Sequence, residues 1–213
     1  LAWAPDSRRL AIACNKGLYL WRLDQAGDLP GEPMELLSFP GAPVAVTWQP
    51  RGQALAVGTQ DGFLQVWRQA VRGAGPRARH KASQLSMRGY PGKVSCLAWH
   101  PSMPLIATAG GPDIVLWRLP SGGGAAKSQP LRHHRRPLTT LAWAPDGRML
   151  AAGDRDGRFS LWDAKGALLF TQGLDEEITT LGWAPDGSAL ALGTTGGQLR
   201  LLRPASTPAN PSL

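Results

Sequence analysis

Short apolar runs bounded by turn residues recur along the whole chain, and no stretch of useful length keeps a helical period. Residues 138–143, 150–153 and 158–162 show the unit: three brief apolar or alternating segments that read as β-strands. The first two are joined by W-A-P-D-G, Trp143 to Gly147, where Pro pre-sets φ, Asp can bond its own backbone and Gly takes a positive φ. The next two are joined by Asp156-Gly157, a hairpin signal repeated at Asp61-Gly62. Five segments share this plan: LAWAPDSRRLAIACNKGLYLW, VTWQPRGQALAVGTQDGFLQVW, LAWHPSMPLIATAGGPDIVLW, LAWAPDGRMLAAGDRDGRFSLW and LGWAPDGSALALGTTGGQLRLL. Their leading tryptophans, Trp3, Trp48, Trp99, Trp143 and Trp183, are 45, 51, 44 and 40 residues apart. Trp21, Trp67, Trp117 and Trp162 follow 18 or 19 residues later, and Leu202 takes that place in the last unit. This register uses all nine tryptophans, which chance does not do.

A fourth strand is predicted between units, at about 34–39, 82–88, 128–132 and 167–172. Four short antiparallel strands per ~40–45 residues is the arithmetic of a propeller blade. From about residue 1 to 204 the chain resembles the WD-repeat family, through the x-W-x-P-D-G turn, the L-A-x-G-x-x-D-G hairpin and the closing apolar-x-apolar-W. Trp162-Asp163 is the one literal W-D pair; the other units end Trp21-Arg22, Trp67-Arg68 and Trp117-Arg118. The slot of the family's G-H histidine holds His134 in the fourth unit, and Phe39, Tyr90 and Leu174 elsewhere. The turn aspartate falls at Asp61 and Asp156, with Asn15 and Gly196 in the matching slots, and the network's hydroxyl would fall at Ala152. The resemblance thus implies structural roles for His134, Asp61, Asp156 and Trp162, and a buried network that has lost its hydroxyl.

The expected fold is all-β: a β-propeller of four-stranded antiparallel blades at about 1–39, 44–88, 94–132, 138–172 and 178–204, then a disordered Pro-rich tail at 205–213. Five inner triplets but four outer strands are predicted. In the family, the outer strand of the last blade usually comes from the N-terminal end. The expectation is therefore an N-terminally incomplete chain, part of a seven-bladed ring, with a genuine five-bladed ring or one closed by a partner chain as the alternatives.

Composition narrows the function classes. No window approaches ~18 uninterrupted apolar residues, so no transmembrane span is predicted. Cys14 and Cys96 sit in apolar runs and read as free buried thiols, which favours a reducing compartment such as the cytoplasm. Net charge is +8, from 23 basic and 15 acidic side chains, and 18 of the basic ones are Arg. Heavy Ala, Gly, Pro and Arg usage points to a GC-rich, bacterial source.

Candidate chemistry is sparse. The carboxylates Asp6, Asp61, Asp146, Asp156 and Asp186 sit in turns, where Asp is favoured for local bonding. No nucleophile-elbow, zinc-protease or phosphate-loop pattern occurs, and the glycines at 122–124 open no helix. His133-His134 lacks a Cys or carboxylate at ligand spacing, and His134 matches the family's structural histidine. His80 and His100 stand alone and read as surface or turn residues. The expectation is no enzyme, no metal and no cofactor.

Two basic clusters remain: Arg132-His133-His134-Arg135-Arg136, and Arg72, Arg77, Arg79, His80 and Lys81 in the longest inter-strand loop. The family resemblance puts the first on the top face of the disc, with Arg155 nearby. The leading expectation is a scaffold binding protein partners through Arg132, His133, Arg135, Arg136, Arg155 and Gln60. The alternative is a binder of nucleic acid or another polyanion, weakened by the scarcity of aromatics among the charges, where only Tyr90 is close.

Overall fold

Every regular element of the computed structural model, which describes residues 1–14, 17–23, 35–37, 41–68, 83–120 and 124–203, is a β-strand. The first sheet contains β1 (Ala2–Trp3), β2 (Arg9–Cys14), β3 (Gly17–Arg22) and β4 (Glu35–Leu37). The second contains β5 (Pro43–Trp48), β6 (Ala54–Thr59), β7 (Leu64–Arg68) and β8 (Ser83–Met87). The third contains β9 (Cys96–Trp99), β10 (Leu105–Ala109), β11 (Ile114–Arg118) and β12 (Lys127–Leu131). The fourth contains β13 (Leu138–Trp143), β14 (Met149–Asp154), β15 (Arg158–Asp163) and β16 (Leu168–Gly173). Among the described residues the fifth has three strands, β17 (Ile178–Trp183), β18 (Leu190–Thr194) and β19 (Leu199–Leu202). Each sheet is a simple antiparallel meander in chain order. The sequence expectations at Asn15, Phe39, the 72–81 basic loop, glycines 122–123 and the 205–213 tail lie outside the described residues.

The turns follow the expected chemistry. Gly52, Gly147 and Gly187 hold φ between 68° and 74°, and in the first blade Ser7 takes the same left-handed region at 55°. The glycine of the L-A-x-G element answers a different need. A Cβ on Gly58 would stand 1.9 Å from the Val94 carbonyl oxygen, where the chain entering the third blade crosses the second.

There is no single core. The inner strands β1, β5, β9, β13 and β17 lie side by side in that order, and each seam between sheets holds its own apolar cluster. Alternate residues of one strand serve the two neighbours. Leu55 and Val57 of β6 face the first blade, while Ala54 and Ala56 face the third. Leu150 and Ala152 of β14 likewise face the third blade, while Ala151 joins the cluster shared with the fifth. Strands buried on both faces read as continuous apolar runs, which explains the weak alternation of the sequence.

The leading tryptophans fasten the seams. The indole N–H of Trp48 donates to the Ala2 carbonyl at 3.1 Å, and that of Trp99 to Thr47 at 3.3 Å. Trp143 donates to Ala98 at 3.2 Å and Trp183 to Ala142 at 3.1 Å. In every case the acceptor is the residue just before the preceding blade's own leading tryptophan. His100 adds a fastener that sequence reading assigned to a surface or turn. It is buried, and its Nδ1 accepts from the Ser102 and Met103 N–H groups at 3.1 and 3.0 Å. Its Nε2–H therefore donates across the seam to the Gly147 carbonyl at 3.0 Å, with the ring edge-on to Trp143.

Candidate functional site

The loops between one blade's outer strand and the next blade's inner strand share a face with the turns between second and third strands. Contacts at the fourth blade show this directly: the Arg155 N–H donates to the Pro137 carbonyl at 3.2 Å, and Arg136 pairs with Asp156 at 3.4 Å. Four of the residues nominated from sequence, Arg132, His133, Arg135 and Arg136, lie on the 132–137 loop, and Arg155 joins them from the adjoining turn. Gln60 is exposed on the equivalent turn of the second blade, its N–H bonded to the Ala42 carbonyl at 2.8 Å, and is not brought into contact with that cluster.

Beneath this face lies a buried chain of hydrogen bonds. The Trp162 indole donates to Ser160 Oγ at 2.9 Å, and Ser160 Oγ lies 2.7 Å from His134 Nε2. On the other side of the ring His134 Nδ1 meets Asp154 Oδ2 at 2.7 Å. The directions follow from the ends. Trp162 can only donate, and an ionised Asp154 can only accept, so Ser160 donates to Nε2 and the imidazole carries its proton on Nδ1. Asp154 Oδ1 also accepts the N–H groups of Asp156 at 3.0 Å and Arg158 at 2.8 Å, closing the turn.

Three assignments need correction. The network aspartate is Asp154, at the end of β14, and not Asp156, which is exposed and paired with Arg136. The hydroxyl is Ser160 on β15, and not the slot at Ala152, which packs in the apolar seam. The fourth blade therefore keeps the whole network. Asp61 is corrected in the same way: it is exposed and its side chain makes no hydrogen bond among the described residues. The Thr59 hydroxyl instead takes the Phe63 N–H at 3.1 Å. The cue was present, since β6, β14 and β18 end in Thr59, Asp154 and Thr194, a polar residue closing each apolar strand.

Ser160, His134 and Asp154 stand in the order of a hydrolytic triad, at hydrogen-bond distances on both sides of the imidazole. Burial decides against that role. Ser160 is 0% exposed and the His134 and Asp154 side chains are 0% and 1% exposed, so no substrate carbonyl reaches the hydroxyl. In the third blade Tyr90 occupies the histidine slot. Its hydroxyl lies 2.5 Å from Thr108 Oγ1 and accepts the Trp117 indole N–H at 2.6 Å, and burial pushes its pKa up to about 12.

Burial also holds the His134 imidazole below its ordinary value of 6.5, although the Asp154 carboxylate pulls the other way. His100 is depressed for the same first reason. Both rings stay neutral in the fold and take up protons on unfolding, so the unfolded chain binds more protons as pH falls. Their contribution to stability is thus present above about pH 6.5 and is lost as pH drops through that value toward the folded pKa. Urea midpoints measured from pH 8 to 5 should fall, and His134→Gln should flatten the slope. An identical slope in the variant would remove His134 as a cause.

The surface carries a different balance. Arg132 pairs with Asp113 at 3.3 Å, and His133 Nε2 meets the Thr171 hydroxyl at 2.9 Å. Arg135 and Arg155 are exposed and form no ion pair among the described residues. Cys14 and Cys96 are free, and burial pushes the Cys96 thiol up to about 11. Among the described residues no helix is long and apolar enough to cross a membrane.

Antiparallel blades stapled in series define a β-propeller. The family model described as "WD domain, G-beta repeat" matches residues 34–68, 82–118 and 126–163, more than half of the chain. The chain belongs to the WD-repeat family. It is 27% identical over 166 residues to meiotic fizzy-related protein 1 of Schizosaccharomyces pombe, covering 76% of this chain and 35% of that protein. It is 30% identical over 159 residues to the anaphase-promoting complex subunit cdh1 of Dictyostelium discoideum, covering 72% and 19%. Against coronin-7 of Rattus norvegicus it is 27% identical over 150 residues, covering 69% and 16%. The chain thus spans about a third or less of these relatives' lengths. All three are eukaryotic, and the bacterial source expected from composition finds no support among them. A chain in a crystal structure of the mitotic checkpoint complex shares the fold, with a TM-score of 0.75 at 21% identity, covering 95% of this chain and 61% of that one.

Proposed function

We propose that this chain is a non-catalytic scaffold that docks protein partners on the face carrying the 132–137 loop and the 154–158 turn. The contacts come from Arg132, His133, Arg135, Arg136, Arg155 and Gln60, and the compartment is reducing, such as the cytoplasm. The observation that carries the reading is the pairing of exposed, unneutralised arginines with a rigid base. Arg135 and Arg155 stand free of carboxylates among the described residues, directly above the His134–Asp154 network that fixes their loops. Arginine is the charged residue most often found at interface hot spots. Relatives named as a subunit of the anaphase-promoting complex and a structure titled for the mitotic checkpoint complex support a role within protein assemblies. The absence of catalysis is supported by the burial of the Ser160–His134–Asp154 set.

The test is capture of partners by the full chain and by the triple variant Arg132→Glu, Arg135→Glu, Arg155→Glu. All three sites are exposed, so the variant should keep its unfolding midpoint while losing at least about tenfold of the captured partner. Undiminished capture would refute this placement of the surface. The pI of about 10.3 favours a second reading, a polyanion binder, for which log K should fall linearly with log[salt].

A further inference from the structure

Between the third and fourth blades the docking face sinks into a concavity of about 290 Å³. Among the described residues only two of its lining side chains are charged, Lys93 and Arg155, and both are cations; Ser95 adds a hydroxyl. No carboxylate among the described residues lines it. The acidic groups on the adjoining turns are already engaged: Asp113 with Arg132 at 3.3 Å, Asp156 with Arg136 at 3.4 Å, and Asp154 with His134 inside. Lys93 and Arg155 have no ion pair among the described residues.

Much of the remaining wall is backbone. A Cβ on Gly111 would lie 2.5 Å from Pro91 Cγ, and one on Gly110 would lie 2.8 Å from the Gly92 carbonyl oxygen. The two loops approach as closely as glycine permits, which leaves the two cations and the serine as the polar chemistry. Both cations also stand on anchored chain. Val94, next to Lys93, is fully buried and its N–H donates to the Thr59 carbonyl at 3.0 Å. The Arg155 N–H is held by Pro137, and the Leu138 N–H donates to the Gly111 carbonyl at 3.0 Å. Charges on fixed backbone lose less freedom when a ligand arrives. The volume lies at the small end of ligand pockets, suited to one side chain rather than to a cofactor.

We infer that this concavity is an oxyanion pocket, taking the carboxylate or phosphate of an acidic or phosphorylated peptide side chain between Lys93 and Arg155. The inference rests on the docking reading and names the chemistry of the partner. A peptide is favoured over nucleic acid because no aromatic face is offered for stacking. Tyr90, which packs beside Gly110, is partly buried with its hydroxyl turned in to Thr108 and Trp117.

The test is a titration of the full ¹⁵N-labelled chain at one low, fixed salt concentration. The probes are inorganic phosphate, three Gly/Ser decapeptides carrying phosphoserine, Glu or Ser at the centre, and a single-stranded DNA decamer. The amides of Gly92, Gly110 and Gly111 should shift saturably with phosphate and with the phosphoserine or Glu peptide, but not with the Ser peptide. Whichever of the two binds more tightly identifies the oxyanion. Lys93→Gln and Arg155→Gln should each weaken binding about tenfold, as expected for loss of one charge-assisted contact, with unfolding midpoints unchanged. Shifts that do not saturate at these glycines, or that persist in the double variant, would overturn the pocket. Tighter binding of the DNA decamer than of the phosphopeptide would overturn the peptide assignment. Should the pocket ignore phosphate while capture still depends on Arg132 and Arg135, the inference fails and the docking reading stands.

Discussion

Asp154→Ala should destabilise the chain by about 3–5 kcal/mol, because it strands several hydrogen-bond donors at roughly 1–3 kcal/mol for each one left buried. The carboxylate is 1% exposed and accepts three hydrogen bonds, from His134, Asp156 and Arg158. Alanine strands all three donors, one of them on a buried ring whose other nitrogen is committed to Ser160. Asp156→Ala supplies the contrast. That side chain is exposed and its pair with Arg136 is a surface contact, so the change should stay within about 1 kcal/mol. Denaturant unfolding of both variants measures the difference. Equal losses would show that the strand-end aspartate carries no more of the blade than the turn aspartate does.

Trp143→Ala should be as severe, at about 3–5 kcal/mol. The ring is 8% exposed within the cluster shared by the third and fourth blades, lies 4.8 Å from the His100 ring, and donates to Ala98. Trp143→Phe keeps much of the packing but loses the indole donor, for a smaller loss. Trp3 has the same place in its repeat but is 49% exposed, so Trp3→Ala should cost far less. Thermal unfolding of Trp143→Ala and Trp3→Ala settles the point. Comparable midpoints would show that the seam contributes little.

The blades were legible because their signals are local. Tryptophan spacing, Pro-to-Gly turns and Asp-Gly hairpins are each written within a few residues, and the strands formed where those signals fell. The network was half legible. His134 and Trp162 stand in slots that the repeat register identifies, but counting to the Asp-Gly turn placed the aspartate two residues too late. The buried carboxylate belongs to the strand end, where only the pairing of β14 with β13 and β15 shows which side chain turns inward. Ser160 was missed because its hydroxyl was sought on the second strand, whereas the third supplies it. His100 carries no repeat signal at all, and its partner Gly147 lies in the next blade. The Lys93–Arg155 concavity was out of reach for the same reason, since its two cations come from different blades and neither is unusual alone.

The tryptophan fasteners have a bearing on how such a chain can change over time. Each indole grips a main-chain carbonyl, and the residues offering it are Ala2, Thr47, Ala98 and Ala142. The joint therefore ignores the identity of its acceptor's side chain. A duplicated or transplanted unit brings its own plug and its own socket, so this one joint can form beside any sibling. Divergence is free to accumulate in the loops of one face while the coupling between units is inherited intact.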